Sequence, residues 1–378
     1  MMDNADLKYM KKALALARRS VGLASPNPPV GCVNVRDGEI VGRGWHEYSR
    51  LDHAEIRALR EASDRARLAT AYVTLEPCCH EGRTPPCTDR LIEAGVARRV
   101  AARVEPNPKG SGRGIERLRL AGIRADVGIL EKETGELIEP FACHITKGRP
   151  LVISKIGMSL DGKIGTGRPQ GRSITSAQGL EFSQKLRLAA DAILVGVGTV
   201  LADDPLLTYR GKAPKARPLL RVVLDAALNT PPEARLFQHG AGAPVLVFCA
   251  RNAPAARRSM LESLGAEIIP APCSEGKIDP ESVLEELAKR GVLGLLVEGG
   301  SRVHWSFLSG GFVDKFYFVI APLILGGEKA VASVGGRGYR SASESPKFRL
   351  RRFFHAGPDL VLEMYPFYSR SIISPWLD

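Results

Sequence analysis

The stretch TLEPCCHEGRTPPC, residues 74–87, holds three of the chain's seven cysteines, and upstream LDHAEIRALR places Glu55 two positions after His53. A zinc-dependent deaminase needs three soft or neutral ligands, a fourth position left to water, and a carboxylate beside that water that does not itself ligate. His53, Cys78 and Cys87 supply the ligands, each at an element boundary. His53 opens a predicted helix and Cys78 follows a strand through Pro77. Cys87 starts the next helix, whose N-terminus favours thiolate. Zinc lowers the pKa of bound water to about 7. Glu55 is placed to take that proton and pass it to a ring nitrogen and the leaving ammonia.

Two alternatives stay open on the residues alone. Cys79 rivals Cys78 as ligand, although Cys78 directly follows Pro77 as in the usual P-C-x-x-C pattern; Cys79 then reads as a small buried residue. His80 offers a fourth ligand that would close the site into a structural zinc centre. Eight residues separate Cys78 from Cys87, and so long a loop beside the metal has room for substrate-recognising side chains.

The rest of the chain fits a soluble enzyme of two domains. Its 378 residues exceed one ordinary core. A hydrophobic fraction of 44% and a charged fraction of 25% are those of a globular protein. No segment approaches the roughly 18 apolar residues of a membrane span. The N-terminal MMDNADLKYMKKALALARRS mixes both charge signs, unlike a signal peptide. An odd, scattered cysteine count points to a reducing, cytoplasmic compartment, with Cys32, Cys143, Cys249 and Cys273 as packing residues. The net charge of +12 is spread without a basic run, which argues against a nucleic-acid partner and leaves room for an anionic small substrate.

Apolar positions at helical spacing predict an amphipathic N-terminal helix. Asp37-Gly38 joins two short strands as a hairpin. Helix and strand then alternate to residue 130, a layered α/β pattern. The chain leaves a helical segment at Gly148 and Pro150 and begins a second alternation. Its strands are expected in DAILVGV, LLRVVLDA, APVLVFCA, AEIIPA, GLLVEGG and DKFYFVIAP, its helices around 177–188, 254–264, 280–290 and 301–309. The expected domains are 1–147 and 148–366, followed by a C-terminal tail, 367–378.

The second half is less explicit about chemistry. VGVGTVL nearly matches a dinucleotide fingerprint, but Leu201 stands where a third glycine is required. EGGSRVHW runs a strand through Gly299-Gly300 into a helix at Ser301, whose free N–H groups suit phosphate.

SPNPPVG at 25–31, HAE at 53–55, TLEPCCHEGRTPPC, DGKIGT at 161–166, VLADDPLLTYR at 200–210, LLVEGG at 295–300 and APLILGG at 321–327 together resemble the bifunctional riboflavin-biosynthesis deaminase–reductases, across nearly the full length. The resemblance implies a cytidine-deaminase-like zinc domain followed by a dihydrofolate-reductase-like α/β domain. The first would deaminate 2,5-diamino-6-(5-phosphoribosylamino)pyrimidin-4(3H)-one, and the second would use NADPH to reduce its ribosyl side chain to ribityl. It assigns Asn27, His46, His80 and Arg83 to the deaminase substrate, with Arg83 toward the phosphate. It assigns Gly157, Thr199, Asp203, Ala226, Gly300, Ser301 and Arg302 to NADPH. Arg187, Leu206, Arg210 and Glu298 fall to the reductase substrate, Arg187 and Arg210 as phosphate partners. Lys155, in SKIGMSLDGK, reads either as a group that orients or protonates that substrate or as an ordinary strand-end lysine. Many members are dimers, so a homo-oligomer is expected, with no membrane or nucleic-acid partner.

One segment departs from the family pattern. GRPQGRS puts Gly171 at the usual substrate-touching serine and Ser173 at the usual cofactor-packing tryptophan, with Arg168 or Arg172 as the residues that could compensate. A deaminase with an impaired reductase domain is therefore an alternative. A nucleic-acid deaminase is another, disfavoured by 6% aromatic content and the absence of a basic stripe. A non-enzymatic reading takes the zinc as structural and the second domain as a nucleotide sensor.

Overall fold

The computed structural model describes residues 4–79, 81, 85–108, 110–167, 173–238 and 244–368. Two compact units divide the chain, one ending its main run at Gly148 and the other opening at Arg149.

In the first unit, helix α1 (Asn4–Arg19) buries Tyr9, Met10, Ala13, Leu14 and Ala17, the apolar face its spacing predicts. Strands β1 (Gly31–Arg36), β2 (Glu39–Trp45), β3 (Thr70–Val73), β4 (Arg98–Ala101) and β5 (Arg124–Val127) form one sheet in the order β2-β1-β3-β4-β5. Asp37 and Gly38 turn the β1–β2 hairpin with φ of 53° and 79°, the left-handed pair such a turn demands. The strands β3, β4 and β5 run parallel, linked by α3 (Cys87–Glu93) and α4 (Arg113–Leu120), and α5 (Glu131–Lys147) closes the unit.

Helix α2 (Ala54–Ala62) lies unusually close to the sheet. A Cβ on Gly42 or Gly44 of β2 would run into the backbone carbonyls of Ala58 and Ala54. Glycines facing alanines thus let the helix backbone rest on the strand, which fixes the position of its first turn and of His53 and Glu55.

An ion-pair cluster ties α1 to the sheet. Arg98 of β4 donates to both oxygens of Asp6 (2.7 and 2.8 Å) and to Asp126 (2.7 Å), while the Tyr72 hydroxyl donates to Asp6 (2.6 Å). The Arg98 hydrogen bond holds the Asp6 carboxyl below its ordinary 3.8, against burial. A depressed folded-state value means the stabilisation is complete above the unfolded value and is lost as pH falls through the folded one. Asp6→Asn is expected to lower unfolding stability by about 2 kcal/mol at pH 7. Denaturant titrations of the two proteins should converge well below pH 3.8.

The second unit is built on a nine-stranded sheet. Its strands are β6 (Leu151–Ser159), β7 (Ala192–Gly196), β8 (Leu220–Leu224), β9 (Val245–Ala250), β10 (Ala266–Ala271), β11 (Gly294–Gly299), β12 (Lys315–Ala321), β13 (Lys347–Ala356) and β14 (Asp359–Phe367). The order is β10-β9-β8-β7-β11-β6-β12-β14-β13. The first seven in that order are parallel, and β14 and β13 continue antiparallel. Continuous burial along β7 (AILVG) and most of β9 marks strands covered on both faces. The covering helices include α6 (Ala177–Ala189), α7 (Val197–Asp203), α8 (Ala255–Ser263), α9 (Pro280–Lys289) and α10 (Ser301–Ser309). β11 inserts between β7 and β6, so the ends of these three strands and the helices α7 and α10 that follow two of them form the crevice where such sheets bind ligands.

The β13–β14 hairpin was not expected from the pattern. Helix α7 begins where the incomplete dinucleotide fingerprint lies. Cys32, Cys143 and Cys249 are buried, but Cys273 is exposed and does not pack in a core.

Candidate active sites

In the first unit, His53 caps α2 and Cys87 begins α3, while β3 ends at Val73, short of the expected Pro77, so that Cys78 lies in the following loop. One ligand atom from each lies within 4.8 Å of the others, the one such grouping among the described residues. His53 Nδ1 is 3.1 Å from Cys87 Sγ and 3.6 Å from Cys78 Sγ. Zinc bonds of about 2.0 Å to nitrogen and 2.3 Å to sulfur give tetrahedral edges of about 3.5–3.8 Å, so the trio fits that ion with modest adjustment. A hydrogen bond from the Cys87 thiol, aided by His53 and the Cys87 N–H and opposed by burial, lowers Cys78 to about 4. The same bond and burial raise Cys87. The pair thus shares a proton that a divalent cation would replace. Cys79 lies outside the trio, and its carbonyl accepts from Arg117 (3.3 Å). His80 and Arg83 fall outside the described residues.

Glu55 is 4% exposed in the first turn of α2, where a helix N-terminus favours a carboxylate. Next to His53, His46 Nδ1 donates to the Asp52 carbonyl (3.1 Å), which leaves Nε2 to accept from the Asn27 amide (3.0 Å). Burial lowers the His46 pKa, in keeping with this neutral tautomer. His46 also meets the His53 ring edge-on at 5.4 Å. Asn27 and His46 are therefore joined to each other and set against the ligand trio.

In the second unit, Glu298 at the end of β11 accepts from Arg187 Nε and Nη2 (2.9 and 2.8 Å) and lies 3.7 Å from Lys155 Nζ. Burial opposes its charge, but Lys155 and Arg187 hold the carboxyl down to about 2. Arg187 Nη1 donates to the Thr208 carbonyl (2.8 Å). A cavity of about 360 Å³ is lined by Arg187, Asp203, Asp204, Leu206, Arg210 and Arg235, with other residues of the same loop. Burial, with Arg187 and Arg235 nearby, lowers the Arg210 pKa; crowded guanidinium groups of this kind suit an anion.

Thr199 of α7 sits under Gly299 and Gly300: a Cβ on Gly299 would come within 2.9 Å of its hydroxyl. Gly300, at φ 84°, leads into the α10 N-terminus at Ser301. Gly157 of β6 lies against Thr175. Ser173 is exposed and hydrogen-bonds Thr175 (3.1 Å). Ala226 is half-buried just beyond β8, and Arg302 is exposed in the first turn of α10. Gly171, Arg168 and Arg172 lie outside the described residues. The sequence reading did not single out Arg235; His304 lies within the EGGSRVHW segment it had marked, and its buried imidazole meets Ser154 Oγ at 2.8 Å. Burial pushes that imidazole down to about 3, with Lys155 adding to the shift. Arg235 stands in no motif, and only the fold brings it to the site.

Comparison with known proteins agrees with this division. Residues 3–103 match the cytidine and deoxycytidylate deaminase zinc-binding region, and residues 150–362 match the RibD C-terminal domain. The chain is 41% identical to the riboflavin biosynthesis protein RibD of Aquifex aeolicus, over 96% of this chain and 99% of that one. It is 38% identical to the Escherichia coli RibD over 95% and 99%. The structure is similar to the diaminohydroxyphosphoribosylaminopyrimidine deaminase/5-amino-6-(5-phosphoribosylamino)uracil reductase of Thermotoga maritima, with a TM-score of 0.83, 36% identity, and 96% and 99% of the chains covered. It is also similar to Acinetobacter baumannii RibD, with a TM-score of 0.85 and 30% identity over 96% and 99%. Matched at both halves and along nearly its whole length, the chain belongs to the RibD family of riboflavin biosynthesis proteins.

Proposed function

We propose that the first unit deaminates 2,5-diamino-6-(5-phosphoribosylamino)pyrimidin-4(3H)-one with zinc, and that the second uses NADPH to reduce the product's ribosyl side chain to ribityl. The observation that carries the reading is the His53–Cys78–Cys87 trio with the buried Glu55 two residues from one of its members. Zinc bound there supplies a Lewis acid that acidifies water to a pKa of about 7. Glu55 accepts one proton of the attacking water and delivers it to the ring nitrogen, then carries the second, from the added hydroxyl, to the amine that departs as ammonia. His46 fixes the Asn27 amide through its Nδ2, turning the Asn27 carbonyl into an acceptor for the pyrimidine's donors. His80 and Arg83 are proposed for the phosphoribosyl end.

In the second unit NADPH supplies the hydride. Gly157, Ser173, Thr199, Asp203, Ala226, Gly300, Ser301 and Arg302 are proposed as its contacts. Glu298 holds Lys155 within reach of the sugar, where the ammonium can donate to oxygen as C1′ is reduced. Arg187, which gives three of its five N–H donors to Glu298 and Thr208, orients that carboxylate and still lines the cavity. Phosphate recognition is proposed for Arg210 and Arg187 with the previously unsuspected Arg235, with Leu206 as apolar wall and Gly171 as a further substrate contact. The substrate is a small phosphorylated pyrimidine, and no helix among the described residues is long and apolar enough to cross a membrane.

Metal removal tests the division of labour. Protein stripped of zinc by a chelator should release no ammonia from the diaminopyrimidine and regain the activity with one equivalent of zinc. Its oxidation of NADPH with the deaminated substrate should be unchanged throughout. Ammonia release that survives complete stripping would refute the zinc role.

A further inference from the structure

Arg99 stands in β4 beside Arg98, and the two side chains take opposite faces, as strand alternation requires. Arg98 serves the α1 face. Arg99 goes to the other and is 0% exposed, the largest fully buried side chain of the described residues. The neighbouring strands make room for it: Ala71 of β3 and Ala125 of β5 are its register partners. A wholly buried guanidinium is costly unless its charge is met. Arg99 Nη2 donates to the Leu75 carbonyl (2.8 Å) and lies 3.5 Å from Glu55 Oε1. Its Nε and Nη1 have no hydrogen-bond partner among the described residues. Glu55 is therefore the carboxylate that the buried cation faces.

The charge pattern explains the arrangement. The two thiolates of Cys78 and Cys87 meet the two charges of a zinc ion, so the ligand set leaves Glu55 without a counter-charge. Arg99 reaches one Glu55 oxygen and the carbonyl of Leu75, three residues before Cys78. We propose that Arg99 is a positioning residue of the deaminase: it balances Glu55 and anchors one of its oxygens, so that the other is presented to the water and the pyrimidine. This rests on the deaminase reading above.

The test compares Arg99→Met, Arg99→Lys and Glu55→Gln for ammonia release, zinc content and NADPH oxidation with the deaminated substrate. R99M is expected to lower kcat by about 10- to 100-fold, the cost of a misplaced catalytic group, with KM within twofold, one zinc bound and NADPH oxidation intact. R99K should recover most of that loss. Because Arg99 acts through Glu55, R99M added to E55Q should leave the residual rate within twofold of E55Q alone. The double variant should also melt above E55Q, in which the buried cation has lost its partner. R99M with wild-type kcat, R99K no better than R99M, or a double variant less stable than E55Q would each overturn the proposal. If R99M is too unstable to assay, the comparison of E55Q with the double variant decides. Full ammonia release by E55Q would bring down the deaminase reading and the Arg99 role with it, whereas loss in E55Q alone removes only Arg99.

Discussion

Glu55→Gln is expected to cut ammonia release by about 10²- to 10⁴-fold, the usual contribution of a positioned acid–base group. The glutamine keeps the size of the side chain but cannot carry a proton between water, ring and leaving group. Zinc should remain bound, because His53, Cys78 and Cys87 are untouched. Metal analysis beside an ammonia assay measures both quantities. An E55Q protein that had lost its zinc would instead assign Glu55 to the ligand set.

Glu298→Gln should have the second large effect, confined to the other unit. The carboxylate is 8% exposed and faces two cations, Lys155 at 3.7 Å and Arg187 at 2.8 Å. Removing one partner of a buried ionic group leaves uncompensated charge, at a cost of about 3–5 kcal/mol. Lys155 also loses the group that aims it. NADPH oxidation with the deaminated substrate should fall by about 100-fold or more, on the scale of a misplaced catalytic group, with a lower Tm for this unit. Zinc content and ammonia release should hold. Because the folded Glu298 carboxyl is held at about 2, its contribution to stability should persist in mild acid and fade only as pH falls toward that value.

What the sequence made legible was local. His-Ala-Glu and the distant Cys87 sit at helix starts, and the ligand trio needs only those two starts and the loop that carries Pro-Cys to meet. Asp37-Gly38 announced its hairpin, and the glycines before Ser301 announced a helix start. The β13–β14 hairpin was illegible for a physical reason. β14 buries Asp359 and Glu363 along with Val361 and Tyr365, so acids occupy positions where the period-two pattern calls for apolar side chains. Glu363 is met by Lys315 and Arg352 (3.6 and 2.6 Å), and Asp359 by Ser176 (2.8 Å). β13, at the sheet edge, exposes Leu350 and Phe353 and shows no clean alternation either.

Long-range pairings were hidden in the same way. Arg187 read as a phosphate ligand, and nothing near it in the sequence announced the Glu298 carboxylate, 111 residues on, that takes two of its N–H donors. Arg99 looked like one more basic residue in a basic chain. Its meaning comes from the alanines on both neighbouring strands and from Glu55 on α2, which only the fold brings together.

The central claim is that one chain performs two reactions in a fixed order, and nicotinamide absorbance tests it most directly. Zinc-loaded protein, NADPH and the phosphoribosylamino-diaminopyrimidine should give NADPH oxidation that disappears in E55Q and returns when the deaminated substrate is supplied. Ammonia release with no NADPH consumed would contradict the claim by leaving the second unit without its activity. NADPH oxidation in E55Q at the unaltered rate on the diamino substrate would contradict it by showing that reduction does not wait for deamination.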